Sequence, residues 1–125
     1  ALSDRIKVGA AVCWMVTTDV QMTWKYGRKE NGGFANCIPA LRQYLDYPHI
    51  ASLACPKPML FINGSHDKLF PLPGVEKAFG EMRKVWKSQK VESNLVAEIW
   101  DMGHECGPKV QERVARFFDE NLSLK

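Results

Sequence analysis

The chain predicts an α/β fold of about three parallel strands with flanking helices. Short, nearly unbroken apolar runs recur at residues 8–16, 59–63 and 95–100, as in strands buried on both faces. Segments with apolar residues at helical spacing follow the second run and the third. The last two runs each stop at a glycine and a polar loop, Gly64 and Gly103. Strands alternating with helices in this way must pair in parallel, through right-handed crossovers.

Taken in order, residues 5–16 begin with mixed polarity and become apolar from Val8 onward, with Gly9, Ala10 and Ala11 small enough for close helix packing. Cys13 within this run reads as a small buried hydrophobe. Over residues 17–36 the pattern dissolves into glycines (Gly27, Gly32, Gly33) and alternating charge. So long an irregular excursion inside a compact domain is either functional or disordered. Residues 39–47 predict a short helix, with Pro39 in its first turn and Ile38, Leu41 and Leu45 on one face. His49 reads as a packing or capping residue between helix and strand. Pro56 and Pro58 keep the approach to the central strand extended.

Residues 74–87 carry Val75, Ala78, Phe79, Met82, Val85 and Trp86 as a buried helical stripe. A polar turn at 88–94 leads to the third strand. A closing helix over 110–122 turns Val110, Val114, Phe117 and Phe118 inward, with Pro108 at its start.

A length of 125 residues suits one domain with a real core, and 46% hydrophobic with 25% charged residues is ordinary for a folded one. No apolar stretch approaches the roughly 18 residues of a membrane span, so no membrane association is expected. A net charge of +3, dispersed along the chain, argues against nucleic acid. The basic run at 84–90 is the solvated end of a helix. Cys13, Cys37, Cys55 and Cys106 show no C-x-x-C spacing, which leaves both a single disulfide and free thiols open. Asp67, His104, His66 and Glu105 match no compact metal motif, so neither metal nor cofactor is expected.

Chemistry concentrates in Asp67 and His104, each just past the C-terminal end of a consecutive strand. Open α/β sheets build their sites on that rim. One βαβ unit separates the two, and neighbouring strands lie only about 5 Å apart. A carboxylate that accepts from one imidazole nitrogen fixes the tautomer and leaves the other nitrogen free to take a proton from a nucleophile. Acid before histidine is also the chain order of serine hydrolases with an α/β sheet. Ser65 in Gly64-Ser65-His66-Asp67 lacks the second glycine of a nucleophile turn and reads as a turn residue, with His66 facing solvent. Trp14 and Met15, at or beyond the end of the first strand, are candidates for lining an acyl or sugar pocket, with core packing as the alternative.

Taken together, residues 6–15, 45–71 and 100–104 resemble the C-terminal half of α/β-hydrolases of the dienelactone hydrolase and acetyl xylan esterase-like kind. The Gly64-x-x-Asp67-x-x-Phe70-Pro71 and Gly103-His104 pieces carry most of the likeness. It implies that residues 1–125 form a single C-terminal part of one hydrolase domain, with Asp67 as triad acid and His104 as general base. It further implies that the nucleophilic serine and the oxyanion-hole segment lie N-terminal to Ala1. The expected substrate is a small-molecule or carbohydrate ester, and these residues alone are expected to be inactive. Residues 17–36 fall where such enzymes vary an insertion over the pocket. Two alternatives stand beside this one: a prolyl-oligopeptidase-like hydrolase, and a non-catalytic α/β module. A sheet of so few strands also leads us to expect self-association through an exposed strand edge.

Overall fold

The strand formed by Met59–Gly64 (β2) organises the molecule, because its side chains alternate between two cores. The computed structural model describes residues 3–23 and 40–122. β2 pairs in parallel with Gly9–Val12 (β1) on one side and with Leu95–Trp100 (β3) on the other, giving the order β1-β2-β3. Register runs from Met59 opposite both Gly9 and Leu95 to Gly64 opposite Trp100. All three C-terminal strand ends therefore reach one rim.

On one face, Phe61 packs with Met15, Val75, Ala78, Phe79, Met82 and Trp86 beneath the helix Leu72–Ser88. On the other, Leu60 and Ile62 pack with Val8, Val110 and Phe117 beneath the closing helix Pro108–Leu122. This is an α/β/α sandwich, built because a continuously apolar parallel strand must be covered on both faces. Each fully buried large side chain contributes on the order of 1.5–3 kcal/mol. Trp86 also satisfies its indole N–H on the Lys57 carbonyl at 3.3 Å, so its burial strands no polar group. Arg113 ties the closing helix to β3 by donating from Nε and Nη2 to Glu98 at 3.1 and 2.8 Å.

With the remaining helices named in chain order, Thr18–Thr23 is α1, Tyr47–Ser52 is α2, Leu72–Ser88 is α3 and Pro108–Leu122 is α4. α3, β3 and α4 lie where the apolar spacing puts them, α3 and α4 each beginning two residues earlier than the stripe. Two expectations need correction. The helix expected over 39–47 is displaced: Leu41–Gln43 is only a single 3-10 turn, and the helix proper begins at Tyr47. Asp46 caps it, accepting from Tyr47 N at 2.8 Å, while His49 Nδ1 accepts from Asp46 N at 2.8 Å. Pro48 sits in its first turn, where it costs no hydrogen bond.

The excursion expected from Thr17 begins instead with α1. The same Asp46 carboxylate accepts from Thr18 N at 2.9 Å, so one acid holds the starts of both α1 and α2. Residues 24–39, including Trp24, Gly27, Gly32, Gly33, Cys37, Ile38 and Pro39, lie outside the described residues. No helix among the described residues is long and apolar enough to cross a membrane.

Candidate active site

Beyond β2 the chain stays attached to the end of β3. Ser65 N donates to the Trp100 carbonyl at 2.8 Å and His66 N to the Met102 carbonyl at 3.0 Å. Gly64 permits this approach, since a Cβ there would overlap the carbonyls of Met102 and Gly103. The loop carrying Asp67 and the loop carrying His104 are thereby joined by backbone hydrogen bonds before any side chain is considered.

Asp67 turns back into the rim and its side chain is wholly buried. Its Oδ1 accepts from Leu69 N at 2.8 Å and Phe70 N at 3.0 Å, the turn chemistry in which aspartate binds its own downstream backbone. Its Oδ2 lies 2.9 Å from His104 Nδ1. A buried carboxylate is tolerated when its lone pairs are matched by donors, as here. The His104 side chain is 44% exposed, and Nε2 has no hydrogen-bond partner among the described residues. Phe70 stacks on the imidazole, ring centroids 5.4 Å apart and planes 14° from parallel. The arrangement holds an imidazole by one nitrogen, braces it on one face, and presents the other nitrogen outward.

A third side chain, not singled out by residue spacing, also reaches this rim. Cys13, the residue after β1, takes a left-handed backbone conformation with φ 49° and donates its N–H to Ile62 O at 2.8 Å. That turn aims the thiol at the His104 loop, where Sγ lies 3.5 Å from Glu105 O and 3.7 Å from Gly103 O. Ligand atoms of Cys13, Asp67 and His104 all lie within 4.8 Å of one another. Burial raises the Cys13 thiol pKa, and the Asp67 charge adds to the shift. The sequence signals only the place of Cys13 on the rim, not the direction of its side chain. In a parallel sheet, the residue ending the first strand shares its rim with those following the second and third.

Met15, expected as a pocket residue, has no exposed surface and packs against the α3 side of the sheet. Core packing describes its placement. Trp14 is 46% exposed and lies beside Tyr47, ring centroids 5.9 Å apart. His66 faces solvent and bonds Asp101 Oδ1 at 2.6 Å on the outer rim. Ser65 is a half-buried turn residue beyond β2.

Comparison with known proteins agrees with this architecture. No protein-family model matches the chain. Over 89 residues it is 36% identical to the protein described as "Putative hydrolase YtaP" of Bacillus subtilis (strain 168), covering 71% of this chain and 29% of that protein. Its fold is similar to that of the solved structure of Methylesterase BT1017, with a TM-score of 0.53 at 20% identity over 62% of this chain and 17% of the other. The fold is hydrolase-like. The chain spans less than a third of the length of either protein.

Proposed function

We propose that this chain supplies the acid and the histidine of a serine-dependent carboxylic ester hydrolase of the acetyl xylan esterase and dienelactone hydrolase-like kind. The observation carrying the reading is the 2.9 Å contact between buried Asp67 and half-exposed His104, with imidazole Nε2 left free. Likeness to one protein named a hydrolase and to the fold of another named a methylesterase supports it.

In this reading His104 Nε2 takes the proton of a serine contributed from outside these 125 residues. The serine oxygen attacks the ester carbonyl, and the same imidazole then protonates the leaving alkoxide. Asp67 stays ionised throughout, keeping the Nδ1–H tautomer and stabilising the imidazolium. Its two backbone donors hold it in place while charge moves on its neighbour. Trp14, exposed just beyond β1, is the apolar surface this reading assigns to an acyl or sugar group. Cys13 is a poor nucleophile here, because burial favours its thiol form and its Sγ points at backbone carbonyls.

The test is turnover of short-chain acyl esters by the full-length protein carrying Asp67→Asn or His104→Gln. Asp67→Asn should lower kcat by about 10⁴-fold and His104→Gln by about 10⁴–10⁶-fold, while KM shifts little. Retention of near-normal kcat by either folded variant would remove the proposal. Faster turnover of aminoacyl amides than of esters would move the assignment to the peptidase-type relatives.

A further inference from the structure

We infer that Cys13, Asp67 and His104 together form a binding site for a thiophilic divalent cation of the zinc class, and that occupancy switches the Asp67–His104 pair off. Three unlike donors (sulfur, carboxylate oxygen and imidazole nitrogen) lie within 4.8 Å of one another although they come from three different strand ends. A tetrahedral zinc centre holds sulfur at about 2.3 Å and nitrogen or oxygen at about 2.0–2.2 Å, so its ligands stand roughly 3.3–3.6 Å apart. Closing the present cluster to that size needs movements on the order of 1 Å.

The parts are suited to such a step. Asp67 is anchored through Oδ1 by two backbone N–H groups, which leaves Oδ2 as the ligand atom. Cys13 is fixed by its backbone bond to Ile62 at the strand end. His104 sits on a loop and its side chain is 44% exposed, so it supplies the adjustment and leaves a fourth coordination position open to solvent. Thiolate and carboxylate together neutralise a divalent ion, with neutral imidazole as third ligand. Binding releases the thiol proton to solvent, ends the sulfur's contacts with the Gly103 and Glu105 carbonyls, and moves the imidazole proton from Nδ1 to Nε2. The metal then holds both atoms of the Asp67–His104 bond, and Nε2 is no longer a base.

The binding claim stands on this geometry alone. Its consequence for catalysis rests on the hydrolase reading above. The probe is Co²⁺ titrated into the full-length protein, followed by Zn²⁺ as competitor. One equivalent of Co²⁺ should bring tetrahedral visible bands and a near-ultraviolet thiolate-to-cobalt band, and Zn²⁺ should abolish both. Cys13→Ser should remove the near-ultraviolet band, His104→Gln should weaken binding at least about tenfold, and Cys106→Ser should change neither.

Absence of binding by the folded wild-type protein would overturn the site, as would a thiolate band that survives Cys13→Ser or disappears in Cys106→Ser. If Cys13→Ser does not fold, the exposed His104 variant decides: unchanged affinity there overturns the site equally. A protein that binds Co²⁺ as described but hydrolyses no ester keeps the site and loses the hydrolase reading. Ester turnover that persists at saturating Zn²⁺ removes the switch.

Discussion

Phe70 holds both members of the candidate pair at once. Its backbone N–H donates to Asp67 Oδ1 at 3.0 Å while its ring lies on the His104 imidazole at 5.4 Å. Replacing the ring separates these roles, because the backbone bond survives any substitution other than proline. Phe70→Leu should therefore leave Asp67 in place but free the imidazole face. In the full-length protein we expect kcat for esters to fall about tenfold with KM nearly unchanged, since a loosely oriented base loses proximity advantage rather than binding. Loss of the Phe70 ring-current shift on the His104 ring protons should accompany it. Unaltered kcat would mean the stacking has no part in orienting the base.

Gly64, the last residue of β2, lies against the backbone of the His104 loop, and a methyl group there has nowhere to go. Gly64→Ala should destabilise the fold by about 1–3 kcal/mol, the ordinary cost of overpacking, and should weaken the contact between Asp67 and His104. Chemical denaturation measures the first effect. Protection of the His66 amide against hydrogen exchange measures the second, because its acceptor, the Met102 carbonyl, is one of the groups displaced.

β2, α3, β3 and α4 could be read because a doubly covered parallel strand is apolar throughout and each helix repeats its apolar stripe over several turns. α2 was misplaced because its signals are two single residues, Asp46 as cap and Pro48 in the first turn, and a longer apolar spacing around Leu41 and Leu45 outweighed them. β1 came out shorter than its apolar run, ending at Val12, because Cys13 turns left-handed there and Trp14 to Val16 leave the sheet. Asp67 and His104 were recognisable as a pair from their places at strand ends. Cys13 was not, because its side-chain direction depends on a backbone turn that no residue pattern announces.

Asp19 and Lys77 form an exposed ion pair that joins α1 to α3. The hydrogen bond from Lys77 is the main cause holding the Asp19 carboxyl down at about 2, against its ordinary value of 3.8, and Thr17 adds to it. A depressed carboxylate stabilises the fold above its unfolded pKa, and that contribution disappears as pH falls through about 4 toward 2. Solvent screening keeps it below about 1 kcal/mol. Asp19→Asn should therefore lower stability by less than about 1 kcal/mol at pH 7 and by progressively less toward pH 2. Denaturation midpoints across that pH range check the sign.

Phe79 sits at zero exposure among Trp86, Met82 and Phe61. Phe79→Ala should cost about 3–5 kcal/mol, enough to threaten the fold of so small a core. Denaturant melts of variant and parent, compared at equal slope, measure it.

Among the described residues β1 pairs only with β2, and it ends the sheet with four strand residues. We propose that the 125-residue polypeptide self-associates through such an edge, with sedimentation coefficients rising with concentration. A clean monomer at high concentration would contradict this.

Whether the pair can serve a nucleophile turns on which imidazole nitrogen carries the proton. Long-range ¹H–¹⁵N correlation of the His104 ring at a pH where it is neutral reports that directly. The Nδ1–H form should dominate in the parent protein, because Asp67 Oδ2 accepts from it at 2.9 Å, and Asp67→Ala should shift the ring toward the Nε2–H form. A ring already in the Nε2–H form, or one indifferent to the loss of the carboxylate, would show that the pair does not hold a base ready for a nucleophile.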